Sequence, residues 1–390
     1  MPPHVRAVAA TRCHPHLMQP TSRSSAPLSA HAARRSHVAT AAIVIAWSTV
    51  APLATIAAAR VIAHDAAFPL IAINSFTPWI YLPAWGALTL ALANRQRVLA
   101  VVATALVALH LAWSLPGAVV AAPLARDAQL APSLRVATAN LLASNASTNA
   151  TVRALAEAQL DLLVVEELTP GWAAALDASA LGDELTTRFV VPRDDCFGIG
   201  IYTRHPLLTR ATIDLEGVPL LRATLALHGR TLTVFAVHTL PPRSMAYARI
   251  WDRQMALLAQ LVAQERGAVV VLGDLNATAQ ARNYQRLVAG RLRGAHEDRG
   301  RGLATTWPNG TFPAPPIRLD HVLVSPELAV RSVRELLANG SDHAPVVAEL
   351  ALLRGRAVVP SAQLGAQVQR AQHIGDDVVG VLDADGEAHQ

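Results

Sequence analysis

AVVVLGDLNAT, residues 268–278, sets an apolar, β-branched run directly against a carboxylate, Asp274, and an amide, Asn276. Such a run, closed by Gly273 and a polar turn, reads as a buried strand that delivers side chains to the rim of a sheet. The design recurs on both sides. LRVATANLL (134–142) is a strand with Asn140 near its end, DLLVVEEL (161–168) one that ends in Glu166 and Glu167, and RTLTVFAVH (230–238) one that ends in His238. Asp320 and His321 interrupt IRLDHVLV (317–324), and Asp342 and His343 precede APVVAEL (344–350). Helical patterns at 149–159, 170–180 and 244–266 alternate with these strands, and PLLRATLAL (219–227) is joined to 230–238 by the hairpin turn His228-Gly229. Further strands are expected at 319–324 and 345–352. This is the texture of an α/β domain with a layered core, and the ends of α/β strands are where such folds build sites.

Taken singly, each polar residue has a structural explanation: Asn140 as a turn cap, Glu166 or Glu167 facing water, His238 as a core histidine, Asp274-Leu275-Asn276 as turn chemistry. Taken together they describe one chemistry. Carboxylates suit Mg²⁺, which takes few protein oxygens and leaves room for water and phosphate. Amides bind phosphate oxygens without adding negative charge, and histidines serve as acids or donors near neutral pH. The set matches metal-assisted phosphoester hydrolysis.

On the motifs TANLL, DLLVVEEL, VHTLPP, VVLGDLNAT, RLDHVLVS and GSDHAPVV, the chain from about Leu134 to Leu350 resembles the endonuclease/exonuclease/phosphatase superfamily. GDLNAT and GSDHAP are the most specific of these. The resemblance implies a DNase-I-like four-layer sandwich, two mixed β-sheets flanked by helices, and a Mg²⁺ or Mn²⁺ cofactor. It implies metal binding by Glu167, supported by Asn140 and assisted by Asp342, with Glu166 in a place more often held by glutamine. Asp274 would orient or deprotonate the attacking water and Asn276 would bind phosphate. His238 would act as general acid or phosphate donor and His343 would stabilise phosphoryl charge. Asp320 would fix a histidine tautomer, and which aspartate serves which histidine stays open.

The rest of the chain has another character. Of 390 residues 52% are hydrophobic and 16% charged, and mean hydropathy is +0.31. Residues 1–37 read as a disordered basic tail, in which Cys13-His14-Pro15-His16 is a solvated run and not a metal site. Three uncharged stretches follow, at about 39–59, 67–93 and 98–120, each near the ~20 residues that cross hydrocarbon. The middle one carries Pro69, Asn74, Pro78 and Pro83. Residues 1–125 lie outside the resemblance but are similar to the membrane bundles that precede it in some bacterial members. Five tail arginines, with Arg95 and Arg97, put the tail and the 94–97 loop in the cytoplasm. Three crossings then leave the domain at 130–354 outside a bacterial inner membrane, and two would reverse this. Residues 355–390 read as a flexible acidic tail.

All 33 basic residues are arginine, so lysine Schiff-base and P-loop chemistry are excluded. The isolated Cys13 and Cys196 make no disulfide framework. Residues 135–354 carry 22 Arg against 21 Asp and Glu, so the domain shows no broad footprint for nucleic acid. The expectation is a membrane-anchored, divalent-metal phosphoesterase, first a nuclease acting on DNA. The alternatives are a lipid or small-molecule phosphodiesterase or phosphatase, and a membrane sensor that kept the fold and lost turnover. Substrate choice is expected in the loops 186–197, 240–248 and 290–318, the last with Arg291, Arg293, Arg299 and Arg301. Trp307 and Arg243 are read as packing or surface residues.

Overall fold

A computed structural model describes residues 26–120, 123–310, 313–337 and 339–353. The expected acidic tail and the first 25 residues of the basic tail lie outside the described residues.

Helix α1 (Ala26–Ala63) starts within the stretch expected as a basic tail. It is followed by α2 (Phe68–Ser75), α3 (Thr77–Ile80), α4 (Leu82–Ala93) and α5 (Arg97–Ser114). α1 from His37 and α5 are long and apolar enough to cross a membrane; the middle stretch is a pair of helices bent by 68°. The bend falls at Phe76, with Pro69, Pro78 and Pro83 each in the first turn of its helix, where no backbone N–H is missed. A core of small and branched residues, among them Ala46, Val50, Ala84, Ala87, Leu99 and Ala103, packs α1, α4 and α5 together. α4 and α5 form a helical hairpin, so the 94–96 turn lies about 27 Å from the far end of α5 at 1.5 Å per residue.

After α6 (Arg126–Leu130) come β1 (Ser133–Asn140), α7 (Thr148–Glu157), β2 (Leu162–Glu166), α8 (Pro170–Asp177), α9 (Ala180–Glu184), β3 (Thr187–Val191), β4 (Ile199–Thr203) and β5 (Leu207–Leu215). Then follow β6 (Val218–Leu227), β7 (Arg230–His238), α10 (Met245–Gln264), β8 (Ala268–Asp274), α11 (Arg282–Ala289), β9 (Arg293–Gly294), α12 (Ala295–Asp298), β10 (Asp320–Val324), β11 (Leu328–Glu335) and β12 (Val346–Leu352). The helix expected at 170–180 is two, because Ser179 caps a new start by accepting from the Gly182 N–H.

The strands form two six-stranded mixed sheets, ordered β11-β12-β1-β2-β4-β3 and β5-β6-β7-β8-β10-β9. Their inner faces meet in one core, including Val136, Val164, Leu221, Val234, Val270 and Ala348. The outer face of the first sheet packs on α7, α8 and α9. That of the second packs on α10 and α11, whose Trp251, Met255 and Leu258 recur at helical spacing. The four-layer, DNase-I-like sandwich preceded by apolar helices is therefore the architecture.

The bundle is built into this sandwich. Ile71 and Phe68 of α2 join the core under α10 and α11. Asp65, just after α1, accepts from the Asn74 side chain at 2.7 Å and from the backbone N–H of Arg282 at 2.6 Å. Trp79 donates to the Pro316 carbonyl at 2.8 Å. Beyond α5, the Gly302 N–H donates to the Gly117 carbonyl at 2.7 Å, where a Cβ on Gly302 would sit 2.5 Å from that backbone. α1 and α5 thus both end against the domain, with the 94–96 turn at the other end of the bundle.

Candidate active site

Register does most of the assembly. In the first sheet the parallel β1–β2 pair sets Asn140 beside Glu166. In the second, Asp274 is flanked by His238 of parallel β7 and by Asp320 of antiparallel β10. The two sheets meet at this end, and Asn140 bridges them: its amide donates to Glu167 at 3.2 Å and to Asp274 at 3.3 Å. Glu167 also accepts from the Ala143 N–H at 2.8 Å.

His343 enters from the loop before β12. Its Nδ1 is 2.8 Å from Asp320 and its Nε2 3.7 Å from Asp274 Oδ2, the same distance as His238 Nε2. Asp320 is thus the aspartate that serves His343. Ser341 fixes the loop, donating to the Asn140 carbonyl at 2.8 Å and accepting from the His343 N–H at 3.0 Å. Thr306 accepts the Asp320 N–H at 3.2 Å. Ser341 and Thr306 escape sequence reading because serine and threonine in loops carry no signal of their own; only its place inside the GSDHAP motif could have marked Ser341. Phe197, from a loop expected to matter for substrate, lies with its ring 5.5 Å from that of His238.

Glu167 and Asn276 both have left-handed backbones, φ 56° and 45°. For glutamate this is uncommon, and such residues collect at functional sites. The Asn276 N–H donates to Asp274 and one side-chain N–H to the Thr239 carbonyl, both at 2.8 Å, so only part of its amide faces outward.

Two residues lie otherwise than their sequence neighbours imply. The Asp342 carboxylate is turned onto the Trp307 indole N–H, at 3.1 Å, so it is oriented by Trp307 and does not bond His343, while Trp307 is more than a packing residue. His321 points to the opposite face of β10, its Nε2 2.7 Å from the Ala277 carbonyl, as strand alternation requires of the residue after Asp320.

Burial drives the electrostatics. It pushes the Asp274 carboxyl up to about 7, helped by the Asp320 charge and opposed by His343. It pushes His238 down to about 4, with His343 adding to the effect. For His343 burial acts downward too, but the Asp320 and Asp274 carboxylates outweigh it and lift the imidazole to about 10. Glu166, enclosed between the sheets and accepting from the Thr138 hydroxyl at 2.6 Å, is held well above the carboxylate range by burial.

Because the folded His343 value lies above the ordinary 6.5, the His343–Asp320 pair stabilises fully below about pH 6.5 and progressively less as pH rises through about 10. In metal-free protein, Asp320→Asn is expected to cost about 3 kcal/mol at pH 6, and the gap to the parent should narrow by pH 10.5. Thermal melts at the two pH values read this; a gap independent of pH would show that the pair is not ionic.

Among the described residues, donor atoms of Asp274, Asp320 and His343 lie within 4.8 Å of one another, as metal ligands would. A protonated His343 tied to Asp320 has no lone pair to give, however, so this trio does not suit a cation while the pair is intact. Glu167 suits one better: half-buried at the rim, it is held by only two N–H donors and lies beside Asn140. The buried Asp342 Oδ1, which has no partner, is a second oxygen.

The two sheets thus converge carboxylates, amides and histidines on one rim. The model of the Endonuclease/Exonuclease/phosphatase family matches residues 137–343, more than half of the chain, and the chain belongs to that family. No curated protein matches it. In fold it is similar to an endonuclease/exonuclease/phosphatase from Bacteroides vulgatus (18% identity, 57% of this chain, 99% of that one, TM-score 0.49). It is likewise similar to humanized D. rerio TDP2 (18%, 56% and 98%, 0.48) and to sphingomyelinase C from Streptomyces griseocarneus (18%, 56% and 99%, 0.44).

Proposed function

We propose that the chain is a membrane-anchored, divalent-metal-dependent phosphodiesterase whose catalytic domain, residues 130–354, stands outside the cytoplasm of a bacterial cell. The observation that carries the chemistry is the convergence of Asn140 and Glu167 with Asp274 and the His343–Asp320 pair. Glu167, with Asn140 behind it and Asp342 within the same rim, would hold Mg²⁺ or Mn²⁺, which would supply polarisation of a phosphoryl oxygen. Asp274 orients the attacking water and accepts its proton. His343, kept charged by Asp320, offers Nε2–H to the phosphoryl oxygens, where positive charge opposes the negative charge that develops there. His238, neutral in its buried setting, donates to the phosphate or the leaving oxygen, and the outward part of the Asn276 amide helps bind the phosphate.

A count of three spans, with the bent pair of helices taken as one, and the arginines of the tail and the 94–97 loop support this sidedness, as does the arrival of both α1 and α5 at the domain. An alkaline phosphatase reporter fused after residue 353 should be active if the domain is exported; an inactive one would reverse the topology.

Nucleic acid is the first substrate that the VHTLPP motif brings forward. Against it, Arg291, Arg293 and Arg301 of the arginine-rich loop are each paired, with Glu327, Asp298 and Glu335. A membrane phosphoester is the second reading, favoured by the fusion of the bundle with the domain. The full chain in detergent, given plasmid DNA and bis(p-nitrophenyl) phosphate with Mg²⁺, Mn²⁺ or chelator, separates them. Cleavage of the diester only with metal, together with a metal-induced rise in Tm, is expected; turnover unaffected by chelator would remove the metal-dependent reading.

A further inference from the structure

A cavity of about 360 Å³ lies between the bundle and the catalytic domain, within the ~300–1,000 Å³ typical of small-molecule sites. The bundle contributes Trp79, Leu82 and Leu111 and the domain Leu303, Ala304 and Ile317, so both walls are mostly apolar. Along the chain, the domain wall adjoins the site described above. Thr278 is two residues beyond Asn276 on the loop leaving β8, and Arg318 two residues before Asp320.

Three features characterise this cavity. Trp79, Leu82, Leu111 and the neighbouring Leu115 each leave more than a third of their surface uncovered, so the apolar side opens outward where the helices would meet lipid. Leu303, a lining residue from the domain, is 52% exposed, which an aqueous loop has no reason to present beside two spans. Polar groups contribute little to the surface of the space: Thr278 Oγ1 and Arg318 Nε on the domain side and Ser114 Oγ on the bundle side are all sealed beneath it, and the lining is mainly apolar. The other Arg318 nitrogens are satisfied by Glu297 and by the Arg301 and Gly302 carbonyls, so the guanidinium is fixed in place.

An occupant that suits such a lining is a hydrocarbon chain, which loses its contact with water on entering. We propose that the cavity receives an acyl chain of a bilayer phospholipid whose phosphodiester is hydrolysed at the Asp274 site. The proposal rests on the phosphodiesterase reading and names its substrate class. The loop from Asp274 to Arg282 then runs from the reacting phosphate, past the tail site, to the clamp at Asp65.

The test uses the full chain in phosphatidylglycerol vesicles doped with a phosphatidylglycerol that carries a diazirine in its acyl chain. Cross-links mapped by mass spectrometry are expected at Leu82, Leu111 and Leu115. Filling the cavity from either wall, by Ser114→Trp or Ala304→Phe, should lower these cross-links and cut turnover of long-chain phosphatidylglycerol relative to its soluble dihexanoyl analogue by about tenfold or more. Cross-links confined to outward residues such as Leu92 and Val101, with an unchanged chain-length ratio, overturn the proposal even if one filled variant fails to fold. Hydrolysis of soluble diester or plasmid without cavity cross-links also overturns it and leaves the phosphodiesterase reading standing. Cavity cross-links with no phosphoester hydrolysed by the parent would instead remove that reading, and the substrate role with it.

Discussion

Asp274→Asn lowers turnover of a soluble phosphodiester by about a thousandfold, the middle of the range for loss of a positioned acid or base, without lowering Tm. The two halves of this expectation have one cause. Asp274 is 2% exposed, and its folded-state carboxyl is raised to about 7 because ionising it there is unfavourable. The neutral, isosteric amide keeps the shape and removes a buried charge, so the fold is expected to hold or gain. What it loses is the oxygen that takes a proton from water and that both His238 and His343 approach at 3.7 Å. The measurement is kcat at saturating Mg²⁺ and pH 8, paired with a melt. Residual turnover within tenfold of the parent would take Asp274 out of the chemistry, and a collapse of both readouts would make its role structural.

One residue earlier, Gly273→Ala is expected to be the most damaging single methyl in the domain. Its Cβ would lie 1.8 Å from the Val237 carbonyl oxygen, with more Val237 backbone within 3.1 Å, and its φ of 149° disfavours a side chain. Neither strand can yield, since β7 and β8 pair in parallel at the centre of the second sheet. Overpacking at about 1–3 kcal/mol and backbone strain at about 1–3 kcal/mol combine to about 3 kcal/mol or more. Gly267→Ala, with open space around it, should stay within about 0.5 kcal/mol. Chemical denaturation of both variants checks this; equal midpoints would show that the β7–β8 ladder adjusts freely.

Much of this site is legible in the sequence because its residues terminate apolar runs, and a run that ends in Asn140, His238 or Asp274 announces both strand and rim. What is not legible is pairing across the fold. Asp320 and Asp342 stand equally close to histidines in sequence, and only the register of β10 against β8 gives His343 to Asp320, leaving Asp342 to Trp307. Among the strands missing from the sequence reading, β4 is short and fully buried, interrupted by Gly200, and three others lack an unbroken apolar run. β5 lies at a sheet edge with most residues at least partly exposed, β3 is half-buried throughout, and β11 carries a bulge between Val330 and Ser332. Glu166 shows the limit from the other side: its burial against Thr138 and beneath the second sheet, which pushes its carboxyl upward, is nothing that spacing reveals.

The clamp of Asp65 on Asn74 and Arg282, with Ile71 sunk into the domain's own core, also decides how such a protein would meet its target. A head on a slack cord sweeps a volume and samples whatever drifts through it. On the membrane-anchored reading proposed above, a head bolted through its own interior to the anchor would keep one height and one tilt. Encounter would then become a search in a plane, governed by sideways diffusion, and removing α2 would yield not a freed enzyme but a domain with a hole in its core.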